Sequence, residues 1–406
     1  MSENPPASEV TDSSDQIAVR RSKRERLLAR GEEPYPVSVP VTATIAEVRA
    51  EYGHLEAGVE TDDEVGVSGR VVFQRNTGKL AFVTLQDGAG ERLQIMASQA
   101  VIGEERLADL KADVDLGDHV FFHGRVGASR RGELSIFADS WQMAAKAVRP
   151  LPVLHADLSE ESRVRRRYVD LIVRQEARDA VRLRSEVMHS LRESFRGREF
   201  VEVETPMLQV IPSGAAARPF VTHMNAFDLD LYLRIAPELF LKRAAVGGLE
   251  KVYEINRNFR NEGADSTHSP EFAMLESYQA YGDYDSIGEL TQSLIQEAAE
   301  AATGSQVVTL ADGTEYYFSG EWAKITVYGS LSESLGEEIT PETTPARLRE
   351  IARSLELDLD HPKYGHGKQA QREPRAEEAA AEVRQRQHAA QQPPDRKSTR
   401  LNSSHR

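Results

Sequence analysis

The fold of the second half of the chain is decided by VYEINRNFRNEG (Val252–Gly263) and by the HSPEFAMLESYQAY that follows it (His268–Tyr281). Both segments have the pattern of extended strands, because polar or aromatic residues recur at every second position, which is the period of a β-strand. A polar loop with glycine, aspartate and proline separates them. We therefore predict an antiparallel pair of strands over Lys251–Glu262 and Glu271–Ala280.

One face of this predicted pair is unusual because it carries both polar and aromatic side chains. Its members are Glu254, Asn256, Asn258, Arg260 and Glu262 on the first strand and Phe272, Met274, Glu276, Tyr278 and Ala280 on the second. An arginine suits phosphate oxygens, an aromatic ring suits a purine, and a partly buried carboxylate requires a cation. The residues alone leave two alternatives open, a ligand site and a solvated face of salt-bridged side chains.

The elements around this pair alternate between helical and extended periodicity. Apolar positions spaced for one helical face predict a helix over Val181–Phe195. A strand is predicted over Phe200–Thr205, ending at Pro206 because proline cannot donate to a strand ladder. A further helix begins at Pro237 and ends at Gly247–Gly248. This half is therefore predicted to be an α+β domain built on an antiparallel sheet.

The first half of the chain shows short alternating runs separated by turn signals. A helical span around residues 98–112 lies between the third and fourth runs. The runs are Val65–Phe73, Leu80–Leu85, Arg92–Met96, His119–Val126 and Glu133–Phe137. Five strands with one helix in this place are typical of an OB-type β-barrel, although other small barrels fit the pattern nearly as well.

Composition excludes several classes of protein. The 406 residues include 50 Lys+Arg and 65 Asp+Glu, a net charge of −15 that argues against indiscriminate nucleic-acid binding. The chain has no cysteine, which excludes disulfides and thiolate zinc sites. No apolar stretch approaches the ~18 residues of a membrane span, and the polar, acidic start is unlike a signal peptide. We predict a cytoplasmic protein without membrane contact.

Shifts in composition divide the chain into segments. The basic residues around Arg20–Arg26 predict a solvated helix or, as the sharper alternative, an RNA-backbone contact. Residues 369–406 are poor in large aliphatic side chains and are predicted to be a disordered tail. The predicted segments are a disordered start (1–18), a helical segment (19–60), a barrel (61–145), a linker (146–160), a catalytic domain (161–368) and an unrelated tail (369–406).

Several motifs make the chain similar to a known family. They are RYVDL (Arg167–Leu171), FVEVETPMLQVIPSGAAARPF (Phe200–Phe220), DLYLRIAPELFLKR (Asp230–Arg243) and the two segments quoted first, with GRV (Gly69–Val71), GKLAFVTLQD (Gly78–Asp87) and GELSI (Gly132–Ile136) in the barrel. Together they closely resemble class II lysyl-tRNA synthetases. The resemblance extends from about Val19 to about Lys368.

The resemblance implies an enzyme that uses ATP, with Mg²⁺, to convert lysine to lysyl-adenylate and then transfers the lysyl group to tRNA(Lys). It also implies a homodimer. Carried over by motif, Arg260 is the catalytic residue and holds the α-phosphate of ATP together with the substrate carboxylate. Glu262 accepts from the adenine amino group, Phe272 stacks on adenine, and His268 contacts the distal phosphates.

The resemblance likewise implies a lysine pocket. Glu276 and Tyr278 receive the side-chain ammonium, while Glu238 and the backbone of Gly214 help Arg260 to fix the amino acid. A relative specific for aspartate or asparagine would need a cationic group at this place. Ligases that lysylate a protein or a lipid are disfavoured, because the former lack the barrel and the latter carry membrane spans.

For the barrel the resemblance implies an anticodon-binding face. Phe82 is the candidate for base stacking, and Gln94, Glu133 and Arg75 are candidates for base-edge or phosphate contacts. Their alternative reading is ordinary barrel-surface residues and one core phenylalanine. In the dimer-forming motif the family usually has glycine just before the aromatic residue, whereas this chain has Glu199 before Phe200.

The resemblance stops after YGHGK (Tyr364–Lys368). The family's third motif and its magnesium ligands would follow that point, so no metal ligand is assigned within the chain. We expect an incomplete catalytic domain and a truncated synthetase whose activity is impaired. The alternative function is that of a catalytically defunct fragment that acts only as a tRNA-binding or other RNA-binding module.

Overall fold

The computed structural model describes residues 8–152, 158–265, 267–310 and 312–355. It has an α+β fold with two compact units, which divide between Arg182 and Leu183. The predicted tail (369–406) and the middle of the predicted linker (153–157) lie outside the described residues.

The first unit contains a closed five-stranded barrel, as predicted. Its strands follow one another around the barrel in the order β1-β2-β3-β5-β4, with β3 and β5 parallel and the other neighbours antiparallel. The strands are β1 (Glu60–Thr77), β2 (Leu80–Gln86), β3 (Arg92–Ser98), β4 (His119–Ala128) and β5 (Leu134–Ala145). Closure leaves no unpaired strand edge in this barrel.

Helices cover the barrel and continue the chain beyond it. Gly103 divides the predicted helix between the third and fourth strands into two. The helices of this unit are α1 (Ser8–Ala29), α2 (Ile45–Tyr52), α3 (Gln99–Ile102), α4 (Glu104–Asp113), α5 (Glu160–Arg165), α6 (Arg167–Val173) and the first part of α7 (Gln175–Gly197). The tryptophan of this unit, Trp141, is buried and donates its ring N–H to the carbonyl of Arg106 at 3.1 Å.

A β-bulge in β1 corrects the predicted alternation of the first barrel strand. The register shifts between Val71 and Phe73, so that Val71 and Val72 are both buried and Phe73 is 54% exposed. A bulge inserts one extra residue and turns all later side chains to the opposite face. Phe73 therefore lies on the outside of the barrel, not in its core.

The amino-terminal helix corrects two predictions. α1 begins at Ser8, within the segment predicted to be a disordered start. Its basic residues are not simply solvated, since Arg26 and Arg30 donate to the buried carboxylate of Asp113 at 2.5 and 2.7 Å. These cations therefore attach the helix to the barrel.

A buried lysine extends this ion cluster and corrects the predicted boundary of the linker. Lys146 is fully buried and lies 2.7 Å from Asp118 and 2.6 Å from Asp115. Asp115 also accepts from Lys23 of α1 at 2.6 Å. Because a buried charge must be paired, the packed structure of the barrel continues at least to Lys146, beyond the predicted end at residue 145.

The described part of the second unit, within residues 183–355, contains three small sheets and several helices. The sheet orders are β11-β10-β6, β7-β9-β8 and β12-β13. The elements are β6 (Val201–Glu202), β7 (Leu208–Gln209), β8 (Val221–Met224), β9 (Leu229–Leu233), α8 (Glu238–Val246), β10 (Lys251–Phe259), β11 (Glu271–Gln279), α9 (Tyr284–Thr303), β12 (Val307–Thr309), β13 (Glu315–Tyr317), α10 (Val327–Leu335) and α11 (Pro345–Ser354). The tryptophan of this unit, Trp322, donates its ring N–H to the carbonyl of Phe318 at 3.0 Å.

The central sheet confirms the predicted antiparallel pair and shortens two strands. β10 ends at Phe259, so Arg260 and Glu262 follow the strand and do not extend it. β6 is shorter than the predicted strand over Phe200–Thr205 and pairs with β10 in parallel. The shortening has a local cause, because the Thr205 hydroxyl donates to Glu254 at 2.6 Å and Pro206 follows.

An aromatic cluster packs beneath this sheet. Phe195 stacks on Tyr253 with ring centroids 4.2 Å apart and meets Phe200 edge-on at 5.0 Å. The turn that leads into the cluster contains Glu199 at φ 64°, a backbone conformation that glycine adopts without strain. An exposed glutamate thus occupies a position whose backbone conformation suits glycine, the residue that the resemblance leads one to expect there.

Candidate functional site

The register of β10 and β11 brings most of the predicted face together. Glu254 lies opposite Glu276, Asn258 lies opposite Phe272, and Val252 lies opposite Tyr278. Opposed residues of an antiparallel pair share a sheet face, so the carboxylate pair and the aromatic residues lie on one side. Of the predicted set, Arg260, Glu262 and Ala280 lie outside the strands.

The predicted lysine-binding residues form a half-buried pocket. The hydroxyl of Tyr278 donates to Glu276 Oε2 at 3.1 Å. Burial raises the pKa of Glu276, and the negative charges of Glu238 and Glu254 add to this effect, whereas Tyr278 and Arg234 oppose it. The pKa of Tyr278 is raised by burial and by the charge of Glu276. A carboxylate in this setting is stabilised by a cation.

Gly214 and Glu238 adjoin one another, as the predicted site requires. Gly214 has φ +91°, and a Cβ there would lie 3.0 Å from the Cβ atoms of Ala236 and Glu238. Only glycine permits both this conformation and this close approach. Its backbone is therefore held beside the Glu238 carboxylate.

A lysine of the chain itself reaches into the same region, a contact that the sequence reasoning missed. Lys242 donates to Glu238 Oε1 at 2.5 Å, and its Nζ lies 5.9 Å from the ring centroid of Tyr278. The two residues are one helical turn apart on α8, which is the spacing of a helical ion pair. The spacing was visible in the sequence, but the proximity to Tyr278 was not.

A buried ion pair supports the pocket from below, and it too was missed. Arg234 is fully buried and donates to Glu254 Oε1 at 2.6 Å and to the hydroxyl of Thr205 at 2.9 Å. Glu254 also accepts from the side-chain amide of Asn256 at 3.1 Å. The network therefore connects the segment after β6 to β9 and β10 and fixes the floor beside Glu276.

Arg260 and Phe272 form the predicted nucleotide-binding pair. The guanidinium carbon of Arg260 lies 5.1 Å from the ring centroid of Phe272, and the backbone N–H of Arg260 donates to Pro270. In the described part of the chain, Arg260 Nε is buried and has no hydrogen-bond partner. A buried donor without a partner is costly, so this arginine is suited to an anionic ligand.

The remaining predicted nucleotide contacts are exposed. Glu262 accepts from the backbone N–H of Arg218 at 3.3 Å. His268 lies in the loop between the strands, where its Nδ1 is 2.9 Å from Asp265, and this hydrogen bond lowers the pKa of Asp265. The structure places His268 at the open end of the site and does not bring it against Phe272 or Glu276.

A magnesium site is not supplied by the residues that the structure describes. Within 8–152, 158–265, 267–310 and 312–355, no group of three or more histidine, aspartate or glutamate side chains is arranged to hold a metal ion. The described residues therefore do not fit a resident cation.

The barrel brings its four predicted nucleic-acid contacts to the outer surface in two pairs. Arg75 is opposite Phe82, with its guanidinium carbon 4.7 Å from the ring centroid. Gln94 donates to the hydroxyl of Ser135, which donates to the carbonyl of Glu133. Phe73 lies two positions from Arg75 on β1 and is exposed, so it adds a second outward aromatic ring.

Comparison with protein families gives two matches. Residues 159–391 match the tRNA synthetases of class II (D, K and N), and residues 50–144 match an OB-fold nucleic acid binding domain. The first match includes the hairpin β10–β11, and the second includes nearly the whole barrel.

Individual relatives agree with these matches. The chain is 65% identical over 363 residues to the lysine–tRNA ligase of Kineococcus radiotolerans, covering 89% of this chain and 73% of that protein. It is 61% identical over 358 residues to the lysine–tRNA ligase of Mycolicibacterium gilvum, covering 88% and 72%. A lysylphosphatidylglycerol biosynthesis bifunctional protein of Mycolicibacterium vanbaalenii is 45% identical over 340 residues, covering 82% of this chain and 30% of that protein. Among the described helices of this chain, none is long and apolar enough to cross a membrane.

Proposed function

Because the chain belongs to the class II tRNA synthetases and carries an OB-fold nucleic-acid-binding barrel, we propose that it is a lysine–tRNA ligase. The proposed specificity for lysine rests on the pocket of Glu276 and Tyr278. The carboxylate of Glu276, with those of Glu238 and Glu254 nearby, favours a cationic substrate over aspartate or asparagine.

The first half-reaction is the activation of lysine. A carboxylate oxygen of lysine attacks the α-phosphorus of ATP, the bond between the α-phosphorus and the bridging oxygen breaks, and pyrophosphate leaves with that electron pair. Arg260, whose Nε has no partner in the described chain, donates to the α-phosphate and to the attacking carboxylate. It thereby stabilises the charge that develops in the transition state.

The other residues position the substrates. Phe272 stacks on the adenine, Glu262 accepts from the adenine amino group, and His268 contacts the distal phosphates at the open end. Glu276 and Tyr278 hold the side-chain ammonium, and Glu238 receives the α-ammonium beside Gly214. Positioning of this kind accelerates a reaction without a protein nucleophile.

The second half-reaction transfers the lysyl group to a terminal ribose hydroxyl of tRNA(Lys). That oxygen attacks the carbonyl carbon of the adenylate and AMP leaves. We assign anticodon recognition to the outer face of the barrel, through Phe82, Arg75, Gln94 and Glu133. Aromatic stacking and base-edge hydrogen bonds are how such barrels bind single-stranded bases.

The assembly and setting follow from the same proposal. Val181 and Leu183 of α7 are about half exposed, an apolar stretch suited to a partner helix in a homodimer. Mg²⁺ enters with ATP, and the reaction takes place in the cytoplasm, where tRNA and ATP are available. Analytical ultracentrifugation tests the dimer.

The experiment that tests the function is lysine-dependent exchange of pyrophosphate into ATP. We expect exchange with lysine and none with aspartate or asparagine. Exchange with either of the latter would refute the assignment of the pocket. Absence of exchange combined with specific binding of tRNA(Lys) would instead favour the second function, an RNA-binding module without catalysis.

A further inference from the structure

A cavity of about 330 Å³ lies within the first unit. Arg70 of β1, His119 at the start of β4, and Arg178 and Arg182 of α7 line it. Asp87, at the end of β2, is the acidic member of the lining.

The arginines of this cavity outnumber its one acidic group, and carboxylates near them, such as Asp87, act on them only without direct contact. Among the residues that the structure describes, Arg70, Arg178 and Arg182 form no ion pair. The carboxylate of Asp87 accepts from the backbone N–H groups of Ala89 and Glu91. A cluster of like charges that is not neutralised destabilises the protein unless an anion joins it.

Backbone carbonyl groups hold the arginines in place. Arg182 donates to the carbonyls of Gly88 and Ala89, both at 2.9 Å, and Arg178 donates to the carbonyl of Leu171 at 2.6 Å. Gly90, at φ +90°, permits this close packing, because a Cβ there would lie 2.9 Å from the Arg178 guanidinium. The cations are therefore preorganised without being neutralised.

One buried N–H donor in the cavity has no hydrogen-bond partner in the described chain, and one histidine beside it is neutral. Arg178 Nε is buried and has no hydrogen-bond partner in the described chain. Burial and the charge of Arg70 lower the pKa of His119 to about 4, so its ring is neutral at pH 7. An anion in the cavity would satisfy the Arg178 donor and stabilise a proton on His119.

We propose that this cavity binds a phosphate group and that the phosphate belongs to the backbone of a bound RNA. Three arginines offer the planar donors that phosphate oxygens prefer. The cavity adjoins β1 and β2, the strands that also carry Arg75 and Phe82, so an RNA strand on the barrel has a phosphate contact on the same unit. The chain as a whole is acidic, at −15, which makes a local unneutralised group of cations a selective place for a polyanion.

The first arm of the test uses inorganic phosphate and His119 as a reporter. The pH titration of the His119 ring protons, followed by NMR in the whole chain, gives its pKa with and without phosphate. We expect phosphate to raise this pKa. The ring signals of exposed His54, which does not line the cavity, should not respond to phosphate. A pKa of His119 that stays unchanged up to the highest phosphate concentration reached would overturn the proposal.

The second arm asks whether RNA is the source of the phosphate. Binding of tRNA(Lys) is measured against salt concentration for Arg182→Gln and for Arg184→Gln, whose parent residue is exposed on the same helix and does not line the cavity. Loss of one phosphate contact lowers the slope of log affinity against log salt by about 0.7–0.9. We expect this loss for Arg182→Gln alone.

The outcomes separate the possible sources. A response of His119 to phosphate with equal salt slopes in both variants would show a site for a free anion and would refute the RNA source. Lysine-dependent exchange is measured on the same samples and needs no tRNA. Failure of exchange in the parent chain therefore contradicts the proposed ligase activity and leaves the phosphate result intact.

Discussion

The contact between α1 and the barrel and the hairpin site of the second unit use arginine in opposite ways. Arg26 and Arg30 both form ion pairs with a fully buried aspartate, Asp113, and these pairs hold α1 in place. Arg260 has an aromatic ring beside it, but its Nε has no partner in the described chain. A cation that is matched inside the protein supports the fold, whereas an unmatched one indicates a ligand.

The largest effect is expected for the buried ion pair of Arg234 and Glu254, a cation that is matched inside the protein. Arg234→Met leaves the carboxylate of Glu254 buried without its cation, and we expect a loss of about 3–5 kcal/mol in the free energy of unfolding. Chemical denaturation measures this loss. Arg192→Met is the control, since its ion pair with Glu202 is exposed and is worth less than about 1 kcal/mol. Equal losses in both variants would contradict the assignment.

Arg260 should show the reverse behaviour. Arg260→Gln removes a donor for the transition state, so we expect pyrophosphate exchange to fall by about 10²–10³-fold. The unfolding midpoint should stay unchanged, because no internal hydrogen bond of this guanidinium is lost. Arg257→Gln serves as the control, because Arg257 lies on β10 shortly before Arg260. A large loss of stability with little loss of exchange would show that Arg260 belongs to the fold.

Glu276 tests the same distinction for an anion, because its carboxylate is half-buried and its pKa is raised. Because its pKa is raised above the ordinary 4.5, its protonated form favours folding at low pH, and this contribution is lost as the pH rises through the raised value. The ammonium of lysine offsets that cost, so the affinity for lysine should increase with pH over the same window.

In Glu276→Gln we expect the affinity for lysine to fall far more than that for ATP, by about 10²-fold, as for a charge-assisted hydrogen bond of ~1.5–3 kcal/mol. The dependence on pH should also disappear. Titration calorimetry with each ligand at several pH values measures both effects. Equal loss of affinity for the two ligands would reject Glu276 as the ammonium partner.

The barrel face allows a smaller test of the same distinction. Phe82→Ala and Phe73→Ala each remove an outward ring, and we expect a loss of about 1–3 kcal/mol in the binding of the anticodon stem-loop from each. Exposed Phe227, in the other unit, provides the control. Unchanged binding in Phe73→Ala would limit the stacking surface to Phe82.

The smallest expected effect concerns the backbone. The φ of +64° at Glu199 costs an L-residue about 1–2 kcal/mol, and glycine loses about 0.5–1 kcal/mol in chain entropy. Glu199→Gly should therefore stabilise the protein by up to about 1 kcal/mol, as measured by denaturation. Glu199→Ala keeps the strained conformation and should give no gain, and a gain as large as that of glycine would disprove the explanation.

Much of the fold could be predicted from the sequence, because the period of a strand and the residues of a turn are local properties. The five barrel strands and the pairing of β10 with β11 follow from spacing alone. The positions of Phe73 and Lys146 could not be predicted, since a bulge and a buried ion cluster depend on residues distant in the chain. The first part of α1, from Ser8 to Ala18, was wrongly predicted to be disordered, whereas the helix from Val19 onward was predicted. The attachment of that helix to Asp113 of α4 and to Asp115 could not be predicted, because these partners are distant in the chain.

The candidate site shows the same division. The motif placed Arg260, Phe272, Glu276 and Tyr278 correctly on one hairpin, because their order along two strands sets their geometry. The support from Arg234 and the contact of Lys242 with Tyr278 were missed, since they join separate elements. Pairing across elements decides which charges remain available to a ligand, and no linear pattern records that pairing.

The two tryptophans have a practical consequence for watching this molecule. The chain has only two, and each unit contains one, Trp141 within the barrel and Trp322 in the second unit. Each indole is fixed by a hydrogen bond to a carbonyl of its own unit. Replacing either one leaves a chain whose tryptophan fluorescence, excited selectively over that of the 12 tyrosines, originates from a single unit, so the order in which the two units melt can be seen directly, without any attached dye.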